Sequence, residues 1–184
     1  LSMEHNNRKL GFNSDRVIPN LTSPFLSFLE RFNLKDKTLL EIGGGDSTIY
    51  FSNIFKKVIT YDHNRAFLNK IKKHKLNNVE LKLLKKDIGK NKIFTKNSEK
   101  ADLIIIDNDP KFIDRFYFAK LFHDNKNITA EIVLDNGTWN MKAYKFLKEN
   151  YYCSDFPGYN RFNENTVTSF FFKKIQGTDL TYPY

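Results

Sequence analysis

The stretch Leu39-Leu40-Glu41-Ile42-Gly43-Gly44-Gly45-Asp46-Ser47-Thr48 decides how this chain folds. Its first half, together with Thr38, is a mostly apolar run that predicts a short buried strand. The three glycines allow a sharp turn and leave bare main chain against which a ligand can lie. Asp46, Ser47 and Thr48 offer N-cap chemistry for a following helix, whose free N–H groups favour an anionic ligand. A strand, a glycine turn and a helix predict the first unit of a nucleotide-binding α/β fold.

The composition is that of an ordinary globular domain. The chain has 184 residues, of which 40% are hydrophobic and 28% charged, and this length suits one domain with a single substantial core. No apolar run approaches the roughly 20 residues that a membrane span needs, and no apolar segment typical of a secretory signal follows Met3. The lone cysteine, Cys153, excludes an internal disulfide and fits a reducing compartment. We therefore expect a cytoplasmic protein without a membrane partner.

The formal charge of +9 admits nucleic acid or another polyanion as a partner. The lysines are spread through the chain, however, and only 70–75 and 82–86 are locally dense. The first of these segments is typical of the solvated face of a helix. Nucleic acid is therefore an open partner that the sequence does not favour.

Strands and helices alternate along the chain. We expect a flexible arm at the polar residues 1–22 and a single domain at residues 23–184. The alternation, closed by two adjoining strands, predicts a mostly parallel sheet with helices on both faces and an antiparallel last strand. We expect strands at 38–42, 57–61, 79–84, 101–106, 130–134, 151–155 and 166–173, helices at 23–32, 47–55, 65–75, 112–122 and 139–150, and a lysine-rich loop at 88–100.

Acidic residues stand at the carboxyl end of five successive predicted strands. A single aspartate there usually caps a turn or a helix, but five in succession crowd like charges at one edge of the sheet. Their repulsion must be relieved by a cation, a ligand or protonation, and ligands of such sheets bind at this edge. The residues are Glu41 within the first strand, then Asp62, Asp87, Asp107 with Asp109, and Asp135.

Asp62 follows the second strand, at the spacing where a carboxylate can accept both ribose hydroxyls of a nucleotide. A nicotinamide-binding chain would favour G-x-G-x-x-G at the turn. After Gly43-x-Gly45 the last position of that pattern is Thr48, which counts against a nicotinamide cofactor.

The segment Glu41-x-Gly43-x-Gly45-x-Ser47 resembles the first motif of the class I S-adenosylmethionine-dependent methyltransferases, E/D-x-G-x-G-x-G/S. The resemblance runs from about Leu39 to Lys173 and implies a Rossmann-like three-layer sandwich with a seven-stranded sheet. It also implies S-adenosylmethionine as the cofactor, with the glycine turn at its methionine part, the residues after strand two at the ribose and those after strand three at the adenine. The cofactor-binding residues implied are Glu41, Gly43, Gly44, Gly45, Ser47, Asp62, His63, Asp87, Ile88 and Asp107.

A finer resemblance begins at strand four. The segments 102–109 and 132–139 are similar to the D-x-D-K and D-N stretches of the small-molecule O-methyltransferases of the catechol and caffeoyl-coenzyme A type. This resemblance implies a divalent cation, Mg²⁺ or another, held by Asp107, Asp135 and Asn136, whose oxygen ligands suit such an ion. A plain turn with a helix cap is the competing interpretation of Asp135-Asn136-Gly137.

The same resemblance implies that Asp107 and a lysine are catalytic. Pro110 stands where that family has its lysine, and Lys111 follows one place later. Lys111 could still serve as general base if the turn shifts.

We therefore expect transfer of a methyl group to an oxygen atom of a small-molecule acceptor, with residues 3–24 and 153–165 as walls of the acceptor pocket. A nucleic-acid or protein methyltransferase on the same fold is the alternative, although Asp107-Asn108-Asp109-Pro110 lacks the second proline and the aromatic of D/N-P-P-Y. A non-catalytic protein that binds S-adenosylmethionine or another nucleoside is the third hypothesis.

The aromatic segment 156–162 is expected to be a loop over the carboxyl edge.

Overall fold

The computed structural model describes residues 17–173. Residues 1–16, most of the predicted flexible arm, and 174–184 lie outside this range. No helix within it is long and apolar enough to cross a bilayer. The strands are β1 (Thr38–Ile42), β2 (Lys57–Asp62), β3 (Val79–Leu83), β4 (Leu103–Ile106), β5 (Glu131–Leu134), β6 (Tyr151–Tyr159) and β7 (Asn165–Lys173); the helices are α1 (Ser23–Leu29), α2 (Asp46–Ser52), α3 (Arg65–Lys72), α4 (Lys92–Glu99), α5 (Arg115–Asp124) and α6 (Met141–Asn150), with short 3-10 helices at Ile88–Lys90 and Gly137–Trp139.

One sheet joins all seven strands in the order β3-β2-β1-β4-β5-β7-β6. Strands β1 to β5 pair in parallel, whereas β7 runs antiparallel to both β5 and β6. The predicted fold class is thereby confirmed: an α/β sandwich with a mostly parallel sheet and a reversed last strand. The strand order changes direction between β1 and β4, and the crevice outside their carboxyl ends is where such sheets bind ligands.

The sheet is covered on both faces because successive residues of a strand point to opposite sides. Leu39 packs in one core with Phe25 of α1 and Phe51 of α2. Its neighbour Leu40 packs in the other core with residues of α4, α5 and α6, among them Phe118. The central strands are therefore apolar on both faces, as β4 is throughout, and this explains why they stand out in the sequence.

The predicted loop 88–100 is wrong: this segment contains a 3-10 helix and then α4. Asn91 caps α4, since its Oδ1 accepts the N–H groups of Ile93 and Phe94 at 2.9 and 3.2 Å. Only Phe94 and Ser98 of α4 are buried, and Ser98 is polar. A helix that buries so little among lysines has no visible apolar period in the sequence.

The predicted loop 156–162 is largely wrong as well, because β6 continues to Tyr159. Pro157 and Gly158 suggest a loop in sequence, yet they pair with β7. They are tolerated because β6 is the edge strand. The turn is confined to residues 160–164, where Oδ1 of Asn160 accepts the N–H groups of Phe162 and Glu164.

Several predicted helix bounds shift. The helix α1 ends at Leu29, so Phe32 is not on its apolar face and is 52% exposed. The helix α5 begins at Arg115 instead of residue 112, and α6 begins at Met141. Trp139, expected on the inner stripe of α6, lies in a 3-10 helix and is 60% exposed.

The described end of the predicted arm packs on the β6–β7 hairpin. Leu21 and Thr22 are buried. The N–H of Thr22 donates to Oγ1 of Thr168 at 3.1 Å, and the Thr22 hydroxyl donates to the carbonyl of Phe156 at 2.9 Å. Residues next to α1 are thereby brought to the carboxyl-edge half of β7.

Candidate active site

The glycine turn lies between the carboxyl ends of β2 and β4. Gly43 has φ +97°, and a Cβ there would lie 2.4 Å from the carbonyl oxygen of Asp107. Its N–H donates to the carbonyl of Tyr61 at 2.8 Å. Gly45 differs, because a Cβ built there would meet nothing within 4 Å. Gly43 is thus required by the fold, whereas Gly45 keeps main chain open towards the crevice.

Asp62 is held beside this turn by two main-chain donors. Its Oδ2 accepts the N–H of Gly44 at 2.7 Å and its Oδ1 accepts the N–H of Asn64 at 2.6 Å. The side chain is buried, so these bonds fix its direction. Each carboxylate oxygen can accept a second hydrogen bond. The carboxylate therefore remains able to accept a pair of ligand hydroxyls at the mouth of the crevice.

Glu41 is buried and surrounded by hydroxyl groups. Its Oε1 accepts from Ser47 at 2.5 Å, and its Oε2 accepts from Thr48 at 2.5 Å and Thr60 at 2.8 Å. Burial raises the pKa of Glu41 to about 7, although the three hydroxyls favour the charged form. The carboxyl of Glu41 thus ties β1 and β2 to the start of α2 and shapes the turn.

An aromatic pair lies next to Asp62. The rings of His63 and Phe112 stack with centroids 4.5 Å apart and planes inclined by 15°. Nδ1 of His63 is 3.7 Å from Oδ1 of Asp62, and Nζ of Lys86 lies 5.8 Å from the Phe112 centroid. Phe112 was missed by the sequence reasoning, which assigned it to a helix; the signal available was its position just past the polar end of β4.

The two residues predicted to contact the adenine have different environments in the structure. Asp87 is exposed, whereas Ile88 is buried in the core under α4. The segment that carries both is the 3-10 turn at the carboxyl end of β3.

Asp107 and Asp135 share one buried cation, Arg115. Nη2 of Arg115 donates to Oδ1 of Asp107 at 3.0 Å, and Nη1 donates to the carbonyl of Asp135 at 2.5 Å. Burial raises the pKa of Asp107, an effect that Arg115 opposes. Burial, and then the charge of Asp107, raise the pKa of Asp135 well above its usual range. Arg115 was missed, because nothing in the local sequence of α5 marks it.

The predicted metal ligands Asp107, Asp135 and Asn136 do come together, but most of their side-chain oxygens already accept hydrogen bonds, as Oδ1 of Asp107 does from Arg115. Oδ1 of Asp135 accepts from Thr168 at 2.9 Å, and its Oδ2 accepts from Nδ2 of Asn136 at 2.6 Å. Oδ1 of Asn136 accepts from Thr166 at 2.6 Å. Within residues 17–173 no group of three or more His, Cys, Asp or Glu side chains is arranged to hold a metal ion. The residues present therefore do not fit a divalent cation.

The loop after β4 is fixed by Asn108 and leaves Lys111 in solvent. Nδ2 of Asn108 donates to the carbonyl of Ile113 at 2.6 Å, while its buried Oδ1 has no hydrogen-bond partner among the described residues. The N–H of Lys111 donates to Oδ1 of Asp109 at 2.9 Å, and Lys111 is exposed. The structure thus places Lys111 at the surface of this loop, outside the buried cluster that holds Asp107.

The tip of the β6–β7 hairpin reaches the glycine turn. Arg161 forms an ion pair with Asp46 at the start of α2 and donates to the carbonyl of Ile18 at 3.2 Å. Lys70 of α3 lies 3.4 Å from Asp46 on the other side. Partial burial acts to raise the pKa of Asp46, but Arg161 and Lys70 outweigh it and lower the pKa. Four separate parts of the chain therefore meet at the mouth of the crevice.

No protein-family profile matches the chain, and no curated protein matches it in sequence. Solved structures do match its fold. A dimethyladenosine transferase from Plasmodium falciparum has a TM-score of 0.57 and 16% identity over 85% of this chain, which spans 64% of that one. The N-methyltransferase NodS from Bradyrhizobium japonicum, solved with S-adenosyl-L-homocysteine, has a TM-score of 0.56 and 13% identity, covering 81% of this chain and 85% of NodS. An rRNA methylase from Streptococcus thermophilus has a TM-score of 0.53 and 13% identity, covering 82% and 93%.

At these identities the likeness concerns the fold. It does not choose an acceptor for this chain, and the finer likeness to the catechol type stays a prediction. The strand order, the reversed β7 and the glycine turn after β1 agree with that fold. This chain has the fold of the S-adenosylmethionine-dependent methyltransferases.

Proposed function

We propose that this protein is an S-adenosylmethionine-dependent methyltransferase that acts on an oxygen atom of a small-molecule acceptor. One observation carries the proposal. The carboxylate of Asp62 at the end of β2 is fixed by the N–H of Gly44 beside the open main chain of Gly45, next to the crevice between β1 and β4 where the strand order changes direction. A nucleoside can place its ribose hydroxyls on Asp62 and its amino-acid part along the glycine turn.

The aromatic pair supports the same placement of the cofactor. His63 is adjacent in sequence to the proposed ribose-binding carboxylate, and its ring stacks on Phe112. A nucleobase that enters beside Asp62 would contact one or both rings, which offer flat apolar faces. Asp87 and Ile88 border this region in the proposal, with Asp87 at the surface.

The chemistry proposed needs alignment more than activation. When bound, the cofactor supplies a methyl group on a sulfonium centre, and its carbon–sulfur bond breaks as the carbon–oxygen bond to the acceptor forms. The chain holds the donor and the acceptor in line and excludes water. Asp107, whose side chain is 24% exposed and whose backbone carbonyl lies against Gly43, is the residue we assign to accept the proton of the acceptor hydroxyl. Lys111 is kept as a second candidate base on the same loop.

A small acceptor is favoured by the hairpin tip. Arg161 joins the tip to Asp46 and to the segment before α1, so the mouth beside the glycine turn is bridged by side chains. Phe162, 61% exposed with the guanidinium of Arg161 4.6 Å from its ring centroid, supplies an apolar surface there. A bridged mouth with an aromatic wall suits a compact acceptor better than a bulky one.

The proposal is tested by calorimetric titration with S-adenosylmethionine and S-adenosyl-L-homocysteine, with NAD as control and with either Mg²⁺ or EDTA present. Micromolar binding of a sulfur nucleoside in both conditions, and none of NAD, is the expected result. Transfer of radioactive methyl groups to a panel of phenols, alcohols, carboxylates and amines then tests the acceptor. Failure to bind either sulfur nucleoside would overturn the proposal.

Methylation of nucleic acid is the second candidate, and the formal charge of +9 favours it. Its binding would weaken steeply as salt is added, because the affinity would depend on phosphate contacts. Transfer to total RNA that exceeds transfer to every small acceptor would support this alternative. Cofactor binding with no transfer to any acceptor would instead support a nucleoside-binding protein.

A further inference from the structure

The helix α5 begins with a buried arginine. The side chain of Arg115 is only 6% exposed and belongs to the first turn of the helix. A cation there is disfavoured twice, because the N-terminal end of a helix dipole is positive and because burial removes the charge from water. Such a residue is retained only where its partners compensate for both effects.

The partners of Arg115 come from the ends of two adjacent strands. Its Nε donates to the carbonyl of Asn108 at 2.9 Å and its Nη2 donates to Oδ1 of Asp107, both just past β4. Its Nη1 donates to the carbonyl of Asp135, just past β5. The planar guanidinium thus holds three oxygen acceptors at fixed angles, which a lysine with one nitrogen could not do.

We infer that Arg115 is a built-in cation, which occupies the place that the sequence predicts for a divalent ion and positions Asp107 without a metal. The inference rests on the proposed function only in taking Asp107 to face the cofactor and the acceptor. Arg115 itself is a positioning residue, since it contacts neither of them in this proposal.

The geometry explains why a metal and Arg115 exclude each other. A divalent ion bound at Asp107 would lie about 2.0–2.6 Å from a carboxylate oxygen, next to the guanidinium that already uses that carboxylate. The second predicted ligand, Asp135, has both oxygens engaged by Thr168 and Asn136. Two positive groups would then compete for one set of acceptors.

The same geometry predicts what removal of Arg115 does. In Arg115→Met the carboxylate of Asp107 and the carbonyl of Asp135 lose their cation while the side chain keeps most of its volume. The vacated site then offers oxygen ligands and negative charge to a metal ion. A residue that only fills space in the core would leave no such site behind.

The test measures binding of Mn²⁺ alone, from the loss of the free-ion signal in electron paramagnetic resonance. The unaltered protein is expected to bind no Mn²⁺ through Asp107 or Asp135. Any weak binding that it shows should therefore be the same in Asp107→Asn and in Asp135→Asn. Arg115→Met is expected to gain at least tenfold in Mn²⁺ affinity, and Arg115→Met with Asp107→Asn is expected to lose the gain, because Asp107 is the carboxylate that Arg115 releases. Arg65→Met, which replaces the exposed arginine that opens α3, is the matched control and is expected to gain nothing.

A second readout concerns the cofactor. The affinity of Arg115→Met for S-adenosyl-L-homocysteine is expected to fall about fivefold or more and to be restored by Mn²⁺, whereas the unaltered protein shows no effect of Mn²⁺. Binding of Mn²⁺ to the unaltered protein through Asp107 or Asp135 would overturn the inference, and so would a folded Arg115→Met protein that gains no Mn²⁺. If Arg115→Met does not fold, Mn²⁺ binding to the unaltered protein still tests the inference, because binding through Asp107 or Asp135 would contradict it. The Mn²⁺ measurement needs no nucleoside, so its failure is distinguishable from failure of the proposed function.

Discussion

The backbone N–H of Gly44 lies 2.7 Å from Oδ2 of Asp62, so the turn after β1 and the end of β2 form one rigid unit. The carboxylate that is proposed to hold the ribose is therefore also the acceptor that fixes the turn proposed to hold the amino-acid part of the cofactor. A change at Asp62 should affect both parts of the nucleoside at once.

We expect Asp62→Ala to weaken binding of S-adenosyl-L-homocysteine by about tenfold or more, because charge-assisted hydrogen bonds contribute about 1.5–3 kcal/mol each. Calorimetric titration measures the effect, and circular dichroism checks that the fold is kept. Asp124→Ala, which removes an exposed carboxylate of α5, is the control. Unchanged affinity in Asp62→Ala would mean that the ligand does not bind at the end of β2.

Gly43→Ala should lower the stability of the protein, whereas Gly45→Ala should lower its affinity for the nucleoside and leave the stability unchanged. At Gly43 a methyl group meets the carbonyl of Asp107 at 2.4 Å and φ is +97°, so we expect a loss of about 2 kcal/mol or more in the free energy of unfolding. At Gly45 nothing lies within 4 Å, so the fold should tolerate alanine while the ligand loses its approach to the main chain. Urea unfolding and calorimetric titration of both variants measure these effects. A Gly45→Ala protein with full affinity would place the ligand elsewhere.

Glu41 should make the protein less stable as the pH rises. Burial raises its pKa in the folded state from 4.5 to about 7, so the folded chain binds more protons than the unfolded chain between these values. Stability contributed by the protonated form is therefore complete below pH 4.5 and is lost as the pH rises to about 7, by up to about 3 kcal/mol. Glu41→Gln should remove this dependence. Urea unfolding of both proteins at pH 5 and pH 8 provides the test, and equal pH dependence in the two would contradict it.

Phe112→Ala should weaken binding of the nucleoside, because the base would lose an aromatic face beside His63. Stacking contributes about 0.5–1.5 kcal/mol, so we expect a loss of about two- to tenfold in affinity for S-adenosyl-L-homocysteine. Phe32→Ala is the matched control: Phe32 is also a partly exposed phenylalanine, but it precedes β1 and so lies towards the opposite edge of the sheet. If the two variants bind equally well, the aromatic pair is no part of the nucleobase site.

The central strands and the end of β2 could be predicted from the sequence because their signals are local. The strand β4 is an unbroken apolar run that is buried on both faces, and Asp62 is the last residue of β2. The helix α4 could not be predicted, since it turns only Phe94 and Ser98 into the core. The extent of β6 was missed because Pro157 and Gly158 are tolerated only where the strand has no further neighbour.

The cluster around Arg115 depends on tertiary structure and had no sequence signal. Its acceptors lie on the segments after β4 and β5, so the pattern of α5 alone cannot indicate them. The two acidic residues were visible as a motif, and a motif of acidic residues equally suits a metal or an arginine. Only the tertiary structure, which brings Arg115 of α5 to these acidic residues, distinguishes the two cases.

Because β7 is the last strand to be synthesised, its position in the sheet sets an order for folding on the ribosome. It inserts between β5 and β6, and its hydroxyls from Thr166 and Thr168 engage Asn136 and Asp135. Until that strand has left the exit tunnel, β5 is an unpaired edge whose polar groups lack their partners. The turn that carries Gly44 and Asp62, by contrast, needs only residues made much earlier. A nascent chain would thus complete the turn that is proposed to hold the nucleoside before β7 pairs with β5 and closes the sheet.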